Sequence, residues 1–422
     1  MKVLWLINGM TREIKKLMNI TRNEDISWIT STLEEIKKKP DIQLYVLFPQ
    51  RLSSDTCILV SDNVTYLGFY QSEKKPWKIN EQVRDTFRRF IGEISPDIIH
   101  IWGTEYAQAL DMSKAAEQFE NVVVHIQGMV AVLSKFYMAD LPYYVQHGFT
   151  FRDLLRGSNV RGEQRNYEKR GKNEVRLLQN INYVMGRTTW DKVHSLEINP
   201  DLKYFHCNES MRPEFFEHNW EWGKAERYSI FITQAYYPIK GFHYFLEALT
   251  KLVREFPRIR VRVAGTNPVY EGKNKIREGS YGRYIRKYIK KHHLKPYIEF
   301  IGYQDVQGMI KEYLRANVFV ISSAVENSPN SLAEAMALGV PCVAADVGGI
   351  SSMLQHKKSG FLYTHNDASM LAYYISELFR KVEISQRVSA EARIYARERY
   401  SAERNVERLL EIYRGIIERK WE

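Results

Sequence analysis

The 422-residue chain is poor in cysteine: it has three, Cys57, Cys207 and Cys342, and they lie far apart in the sequence. An odd number of widely spaced thiols forms neither a disulfide framework nor a zinc-binding cluster. The sequence therefore indicates a protein of a reducing compartment.

The sequence also lacks a hydrophobic run long enough to cross a membrane, which takes about 20 consecutive apolar residues. The apolar start, residues 3–7, is shorter than the hydrophobic region of a secretory signal and is followed by Asn8 and Gly9. These two absences predict a cytoplasmic protein, either free or peripheral at the inner face of the membrane.

Metal-binding patterns are missing as well. The chain contains no Asp-x-Asp triplet and no cluster of His, Asp and Glu at ligand spacing. Divalent ions need several such ligands brought together. We therefore expect no bound metal.

The net charge, by contrast, is large: 61 Lys and Arg against 50 Asp and Glu give a formal charge of +11. Such an excess suits nucleic acid, an anionic membrane surface or anionic small molecules. The sequence has no recognition-helix, zinc-finger or RNA-binding motif, so nucleic acid is not an expected partner. A membrane surface and an anionic substrate both stay open.

Length and patterning indicate the fold class. A chain of this size suits two domains of roughly 200 residues each. Strand-like runs alternate with helix-like periods throughout, which is typical of α/β proteins with parallel sheets. The predicted strands are residues 2–7, 42–48, 98–102, 122–126, 182–186, 203–207, 228–233, 259–264, 297–301, 317–322 and 342–345; predicted helices include 105–119, 242–255, 305–315 and 401–422.

One segment of the C-terminal half places two carboxylates close to a predicted helix start: Glu326-Asn-Ser-Pro-Asn-Ser-Leu-Ala-Glu334. The run before it, residues 317–322, has the composition of a buried strand, and residues 331–338 are rich in helix formers. Glu326 therefore follows the carboxyl end of a strand, which is where open α/β sheets bind ligands. Glu334 is predicted to lie about two turns into the helix.

The ends of that helix are marked by local signals. Ser328 is predicted as the N-cap with Pro329 at the first helical position, and Gly339 and Pro341 mark the stop. The N–H groups of residues 328–331 would then form an anion site of the kind that helix N-termini provide.

This segment resembles the paired-glutamate motif of retaining glycosyltransferases of the GT-B fold, specifically sequence family 4. Residues 230–241, Ile-Phe-Ile-Thr-Gln-Ala-Tyr-Tyr-Pro-Ile-Lys-Gly, are similar to the strand and loop that open the donor domain of those enzymes. The resemblance covers residues 225–400 throughout. It is thinner in the N-terminal half, where it rests on residues 1–9, 96–102 and 122–128.

The resemblance implies an α/β fold of GT-B type, with two facing Rossmann-like domains and a deep interdomain cleft. Residues 1–218 would form the acceptor-side domain and residues 225–400 the donor domain, with helix 401–422 returning to the first. The implied reaction moves a sugar, with retention, from a nucleoside diphosphate donor to a glycan or lipid-linked acceptor in cell-surface polysaccharide synthesis. The nucleotide sugar is a co-substrate, and no cofactor is implied.

The resemblance also assigns roles to residues. Glu326 would face the sugar and stabilise positive charge at the anomeric carbon, and Lys240 would neutralise the leaving diphosphate. Glu334 would accept hydrogen bonds from the ribose hydroxyls, as acids do in dinucleotide sites. The other donor-side candidates are Asn327, Ser328, Asn330, Ser331, Gln234, Tyr303 and Gly9; those on the acceptor or sugar side are Gln127, Gly128 and Arg187.

Other interpretations stay open for some of these site residues. Gly9 is predicted to let the backbone approach a phosphate, with a simple turn as the alternative, and Arg187 is predicted to face the cleft, with a structural salt bridge as the alternative. Gln234 stands where the family often has an arginine, and Gln127 stands where many members have a histidine. These two departures support a second hypothesis, a catalytically silent GT-B scaffold subunit of a glycan-assembly complex.

Residues 152–176 form a basic stretch that follows an aromatic run at residues 136–144. Interleaved aromatic and cationic residues suit a lipid phosphate or an anionic acceptor near a membrane. A solvated helical excursion is an equally open alternative. The cations of the stretch are Arg152, Arg156, Arg161, Arg165, Lys169, Arg170, Lys172 and Arg176.

Overall fold

A computed structural model describes residues 1–20, 29–50, 56–71, 75–270 and 272–420 of the chain. The chain forms two compact units. The first unit holds residues 1–132, 167–212 and 400–422, and the second holds residues 133–166 and 213–399. The last two residues of the predicted C-terminal helix, 421 and 422, lie outside the described residues.

The first unit is built on one eight-stranded sheet. Its strands are β1 (Lys2–Leu6), β2 (Gln43–Gln50), β3 (Cys57–Ser61), β4 (Val64–Tyr70), β5 (Ile98–Trp102), β6 (Val122–His125), β7 (Tyr183–Gly186) and β8 (Lys203–His206). They lie in the order β3-β4-β2-β1-β5-β6-β7-β8. Strands β3 and β4 pair antiparallel as a hairpin, and the other neighbours pair parallel.

Helices connect these strands. Four of them come before residue 116: α1 (Arg12–Leu17), α2 (Thr30–Lys37), α3 (Glu81–Ile94) and α4 (Ala107–Ala115). The next four cover the part of the chain that enters and leaves the second unit: α5 (Val130–Phe136), α6 (Tyr143–Gln146), α7 (Phe151–Arg156) and α8 (Val160–Leu178). Helix α9 (Thr189–Ile198) follows in the first unit.

The second unit contains a six-stranded, fully parallel sheet. Its strands are β9 (Ser229–Ile232), β10 (Arg260–Ala264), β11 (Ile298–Gly302), β12 (Val318–Ile321), β13 (Cys342–Ala345) and β14 (Phe361–Tyr363), in the order β11-β10-β9-β12-β13-β14. Its helices are α10 (Phe242–Glu255), α11 (Ser280–Lys291), α12 (Val306–Arg315), α13 (Asn330–Leu338), α14 (Ala368–Arg380) and α15 (Val382–Arg399).

The last helix, α16 (Ala402–Ile417), belongs to the first unit. Its apolar face contributes Val406, Leu409 and Tyr413 to the core of that unit. The buried Trp5 indole N–H donates a hydrogen bond to the Tyr413 hydroxyl at 2.9 Å. A strand near the amino end and a helix near the carboxyl end are thus joined in one core.

All eleven predicted strands are present, and the helices predicted at residues 105–119, 242–255 and 305–315 correspond to α4, α10 and α12. Three strands were not predicted: β3, β4 and β14. Strand β3 lies at the edge of its sheet and alternates between half-buried and exposed residues, so it gives no continuous apolar signal. Strand β14 has only three residues.

Residues 133–166 differ from the predicted domain bounds, because they pack with the second unit. The His243 ring contacts the Ala139 carbonyl oxygen at 2.7 Å, and the Tyr244 hydroxyl donates to Asp140 at 2.8 Å. These contacts join residues about 100 positions apart, which sequence patterning does not reveal. The acceptor and donor roles assigned to the two domains stay predictions.

In each sheet the chain order reverses between two neighbouring strands. In the first unit β1 is flanked by β2 and β5, and in the second unit β9 is flanked by β10 and β12. Open α/β sheets bind ligands outside the carboxyl ends of the strands at such switch points. The loops after β1 and β5, and after β9 and β12, are therefore where functional residues are expected in each unit.

Candidate active site

The switch point of the second unit brings Lys240 and Glu326 together. Lys240 ends a 3₁₀ turn after β9, and Glu326 lies in the loop after β12. The Lys240 ammonium donates a hydrogen bond to Glu326 Oε1 at 2.6 Å, and the Ser323 hydroxyl donates to the same oxygen at 2.7 Å. The two predicted catalytic residues therefore form a direct, partly buried ion pair.

Two glycines allow the loops around this pair to approach so closely. Gly241 has φ +65°, and a Cβ there would collide with the Ser322 carbonyl oxygen. Gly348 has φ +56°, and a Cβ there would collide with the carbonyl oxygen of Glu326 itself. Since both conformations are left-handed and both approaches involve backbone, a side chain at either position would displace the loop that holds Glu326.

Helix α13 begins one residue later than predicted. Pro329, not Ser328, occupies the N-cap position, and no side chain caps the helix there. Pro329 has an extended backbone (φ −70°, ψ 123°), so the first helical residue is Asn330. The predicted stop at Gly339 is confirmed: this residue has φ +80°, and its N–H donates to the last turn of the helix.

Glu334 is the fifth residue of α13, so it lies just over one turn into the helix rather than two. It is 9% exposed. The Tyr313 hydroxyl, from α12, donates to Glu334 Oε2 at 3.0 Å. This fully buried tyrosine fixes the orientation of the carboxylate, and no sequence pattern singles it out.

The remaining donor-side candidates lie around these two acids. Asn327 is buried, Ser328 and Ser331 are half-buried, and Asn330 is exposed at the start of α13. The anion site predicted at the backbone amides of residues 328–331 stays a prediction.

Gln234 and Tyr303 follow β9 and β11. Gln234 Oε1 lies 3.5 Å from the backbone nitrogen of Tyr236 and 3.0 Å from the place where a Cβ of Gly265 would stand. Tyr303 is 67% exposed. The structure places both at the carboxyl edge of the sheet, and their contacts with a nucleotide stay predictions.

In the first unit the corresponding edge is organised by Glu105, which the sequence reasoning missed. Its Oε1 accepts the backbone N–H of Gly128 at 2.9 Å, and its Oε2 accepts from the Asn8 side chain at 3.2 Å. Gly9 lies three residues beyond the last residue of β1. Glu105, in the loop after β5, therefore links the loops that carry Gly9 and Gly128.

Arg187 and Gln127 are held together within the same unit. The Arg187 guanidinium is buried, forms an ion pair with Glu209 and donates to the Gln127 carbonyl oxygen at 2.8 Å. The structure thus contains the salt bridge that was the alternative role of Arg187. The contacts predicted for Arg187 and Gln127 with a transferred sugar stay predictions.

Three buried acids surround this edge. Burial raises the pKa of Glu105 and of Glu209, and it raises the pKa of Glu174 to about 7. Glu174 accepts the Ala131 backbone N–H at 2.7 Å and the Thr104 hydroxyl. The acids come from two loops and a helix with no common spacing, so no sequence motif could have grouped them.

The basic stretch 152–176 is not a uniformly solvated face. Arg170 donates to the Glu105 carbonyl oxygen at 2.6 Å, and Lys169 lies 4.7 Å from the ring centroid of Trp77. Arg152 donates to the Tyr236 hydroxyl at 2.7 Å. Arg152 and Arg170 are half-buried by these contacts, whereas Lys169 stays exposed, as do Arg156, Arg165, Lys172 and Arg176.

A cavity of about 210 Å³ lies beside the loop that leads to Lys240. Tyrosine rings and charged groups share its lining, a combination suited to sugar rings and their hydroxyls. The cavity is formed within the second unit. Its lining includes Tyr137, Arg152, Arg156, Glu163, Tyr237 and Tyr270.

Neither a metal cluster nor a membrane span is found in the part of the chain that the structure describes. No group of three or more His, Cys, Asp or Glu side chains there could hold a metal ion. None of its helices is both long and apolar enough to cross a bilayer. Metal independence stays a prediction.

Sequence comparison identifies a family and relatives that match part of the chain. Residues 214–395 match the family model described as Glycosyl transferases group 1. The putative colanic acid biosynthesis glycosyltransferase WcaL of Salmonella typhimurium is 31% identical over 150 residues, which are 33% of this chain and 33% of that protein. The chain spans no more than about half the length of the first curated relatives it matches.

Structural comparison covers almost the whole chain. The sucrose-phosphate synthase of Thermosynechococcus elongatus superimposes with a TM-score of 0.71 at 14% identity, covering 99% of both chains. Anabaena Alr3699/HepE in complex with UDP and glucose superimposes with a TM-score of 0.68 at 13% identity, covering 98% of this chain and all of the other. At such identities the likeness establishes the fold alone, and the predicted GT-B fold class is confirmed.

Proposed function

Since residues 214–395 form a domain of the glycosyl transferases group 1 family, we propose that this protein is a retaining glycosyltransferase of sequence family 4. It would move a sugar from a nucleoside diphosphate donor to a glycan or lipid-linked acceptor, without a metal ion or cofactor. The observation that carries the proposal is the ion pair of Lys240 and Glu326 at the switch point of the second sheet.

The ion pair would open when a donor binds. In it the Lys240 ammonium is neutralised by Glu326, with 33% of the lysine side chain still exposed. A diphosphate entering beside Lys240 would bring more negative charge than one carboxylate, so the ammonium would turn to the phosphates. Glu326 would then be released toward the sugar, where a carboxylate stabilises positive charge developing at the anomeric carbon.

Glu334 would fix the nucleoside. Its carboxylate is held by Tyr313 at 3.0 Å and is almost buried, so it is oriented before a ligand arrives. Hydrogen bonds from ribose hydroxyls to such a pre-oriented carboxylate are charge-assisted and stronger than neutral ones. The helix start at Asn330, between the two acids, would support the diphosphate through backbone N–H groups.

UDP-sugars are the donor class that we expect. The structures of the HepE neighbour hold UDP, UDP with glucose, or UDP-glucose. Tyr303, exposed at the carboxyl edge of the second sheet, offers an aromatic face for the uracil ring.

The acceptor is expected to be a growing cell-surface glycan. The relatives include proteins named for colanic acid and amylovoran biosynthesis, which supports this class of product. The cavity of about 210 Å³ beside residues 236–238 is smaller than the ~300–1,000 Å³ of drug-sized ligand sites. It would accommodate one sugar ring of the acceptor between its tyrosines.

The scaffold hypothesis does not explain the contacts of these residues. A silent subunit has no need for Lys240 and Glu326 to meet at 2.6 Å, nor for Tyr313 to orient Glu334. Gln234 and Gln127 depart from the family pattern, but neither lies in the ion pair. The contacts around the pair therefore favour an enzyme.

A donor panel tests the proposal. Calorimetric titration with UDP-, GDP- and ADP-sugars should give measurable binding for one nucleotide class, and release of free nucleoside diphosphate should follow with water or glycan acceptors. Nuclear magnetic resonance of the product would assign the anomeric configuration and so decide between retention and inversion.

Matched variants locate the binding. Glu334→Gln should weaken donor binding, whereas Glu383→Gln, an exposed acid of α15 in the same unit, should leave it unchanged. If no nucleotide sugar binds the parent protein, the enzyme proposal fails and the scaffold hypothesis gains. If both variants bind like the parent, the site lies elsewhere.

A further inference from the structure

An unusual concentration of exposed apolar side chains lies in the part of the chain that joins the second unit. Within 13 residues, 143–155, six large apolar side chains are between 53% and 75% exposed. Large exposed apolar patches mark interaction sites, whereas exposed apolar residues scattered singly are ordinary. The residues are Tyr143, Tyr144, Phe149, Phe151, Leu154 and Leu155.

Helix α7 holds three of these side chains on one outward face. Phe151, Leu154 and Leu155 follow the i, i+3, i+4 spacing that places side chains side by side. A capping box formed by Thr150 and Asp153 fixes the start of the helix. Asp153 also accepts the Ser280 backbone N–H at 3.0 Å, so the opposite side of α7 is bonded to the start of α11. The apolar face therefore cannot turn inward.

Cations accompany the apolar residues. Helix α6 packs against α11, and α7 packs against the 3₁₀ turn Gly272–Arg277. Helix α11 contains no acidic residue, and its inner face is closed by Tyr281, Ile285 and Ile289. The exposed cations of the two neighbouring segments are Lys275, Arg277, Arg283, Lys287, Lys290 and Lys291.

A cavity of about 660 Å³ lies between the same turn and α11. Its lining combines apolar residues, among them Val269 and Phe300, with the cations Lys275, Lys290 and Lys295. Arg286 also borders it but is already paired with Glu278. An apolar interior with cations at its border suits an amphiphile that carries a phosphate.

We propose that α6, α7, the 272–277 turn and α11 form a docking face for the surface of an anionic lipid bilayer. The aromatic and leucine side chains would enter the boundary between headgroups and acyl chains, while the cations pair with lipid phosphates. The cavity would take the headgroup of one anionic lipid. The exposed leucines favour a bilayer over nucleic acid, whose phosphates pair with cations but leave aliphatic side chains in water.

This surface differs from the one suggested by the sequence. The prediction centred on residues 152–176, of which Arg152, Lys169 and Arg170 are engaged in internal contacts. The exposed cations of the docking face come mainly from helix α11. The inference stands independently of the donor assignment, because none of its residues is assigned to the donor site.

Flotation of the full chain with vesicles tests the docking face. Vesicles of phosphatidylcholine alone and of phosphatidylcholine with phosphatidylglycerol should be compared at low and high salt. The parent protein should float with the anionic vesicles at low salt and much less with the neutral ones. High salt should weaken the binding, since screening shortens the reach of the cations.

Two triple variants separate the contributions. Arg283→Gln with Lys287→Gln and Lys291→Gln should weaken binding to anionic vesicles about 100-fold, because each basic residue near such a surface contributes about fivefold. The apolar variant, Phe151→Ser with Leu154→Ser and Leu155→Ser, should lower binding at least about tenfold at both salt concentrations.

Matched controls come from exposed positions outside the docking face. Lys251→Gln with Arg254→Gln and Lys311→Gln removes three cations of the second unit, and Val193→Ser with Tyr373→Ser and Ile394→Ser removes three apolar side chains. Both controls should float like the parent.

Three outcomes would overturn the inference. These are a parent protein that does not float with anionic vesicles at low salt, docking-face variants that both float like the controls, and a parent protein that binds duplex DNA but no vesicles. Titration of the same preparations with UDP keeps this test separate from that of the proposed function, because the variants should bind nucleotide like the parent.

Discussion

Glu174 offers the sharpest test of the electrostatics in the first unit. The residue is fully buried, and burial raises its pKa to about 7 against an ordinary value of 4.5. The neighbouring Glu105 also opposes its ionisation. In the folded protein Glu174 therefore holds its proton up to neutral pH, whereas in the unfolded chain it loses the proton near pH 4.5.

The sign and size of the effect follow from linkage. Between pH 4.5 and about 7 the folded state binds one proton more than the unfolded state, so the free energy of unfolding falls as pH rises. A difference of about 2.5 pKa units (7 minus 4.5) corresponds to about 3 kcal/mol. This contribution is fully present below pH 4.5 and is lost once the pH has passed about 7.

Glu174→Gln should remove this pH dependence while keeping the local contacts. The glutamine carbonyl can accept the Ala131 N–H, and its amide can donate to Thr104, whose hydroxyl can still donate to the Gly128 carbonyl oxygen. The variant should therefore gain about 3 kcal/mol relative to the parent between pH 4.5 and pH 8, measured by urea unfolding at several pH values.

The test compares the free energies of unfolding of parent and variant at each pH. It does not use the absolute values, because a chain of two units need not unfold in one step. Glu117→Gln, which changes an exposed acid of the same unit, is the matched control and should track the parent at every pH. A parent-to-variant difference that stays constant over this pH range would refute the reasoning. It would show that Glu174 ionises normally despite its burial.

Four further outcomes follow from the site in the second unit. Glu334→Ala should weaken donor binding by about 1–3 kcal/mol for each charge-assisted hydrogen bond lost; unchanged affinity in calorimetry would remove Glu334 from the site. Glu326→Gln should lower turnover far more than donor affinity, because its interaction grows in the transition state; weakened binding at unaltered kcat would make it an anchoring group. Activity should survive excess EDTA, and a reaction that stops with the chelator and resumes with Mn²⁺ would contradict this. Gly348→Ala should lower both the Tm and turnover. A left-handed non-glycine residue costs about 1–2 kcal/mol, and its Cβ would collide with the Glu326 carbonyl oxygen. A variant with parental stability and rate would show that the loop adapts.

Much of the fold could be predicted because the signals are local. Buried strands of parallel sheets are short apolar runs, and all eleven such runs that were predicted correspond to strands. The edge strand β3, which alternates in exposure, and the three-residue β14 lack that signal. The assignment of residues 133–166 to the second unit depends on contacts such as that of His243 with Ala139, which no local pattern encodes.

The candidate site divides in the same way. Glu326, Glu334 and Lys240 could be identified because each follows or enters a recognisable element at the carboxyl edge of a sheet. Tyr313 and Glu105 could not, since their roles depend on hydrogen bonds to residues distant in sequence, such as Glu334, 21 positions from Tyr313, and Gly128, 23 positions from Glu105. A buried tyrosine and a loop glutamate have no distinguishing neighbours in the chain.

The contact between Lys240 and Glu326 changes how their separate roles must be understood. Sequence reasoning placed one at the diphosphate and the other at the sugar, yet in the structure they neutralise each other at 2.6 Å. Both roles can hold only if a bound donor replaces this contact, so the two side chains act as a coupled pair. Removing the lysine would leave Glu326 with the Ser323 hydroxyl but without its cation, and the remaining carboxylate would repel an incoming diphosphate. The effects of single substitutions at the two positions should therefore not add, because each alters the state in which the other meets the donor.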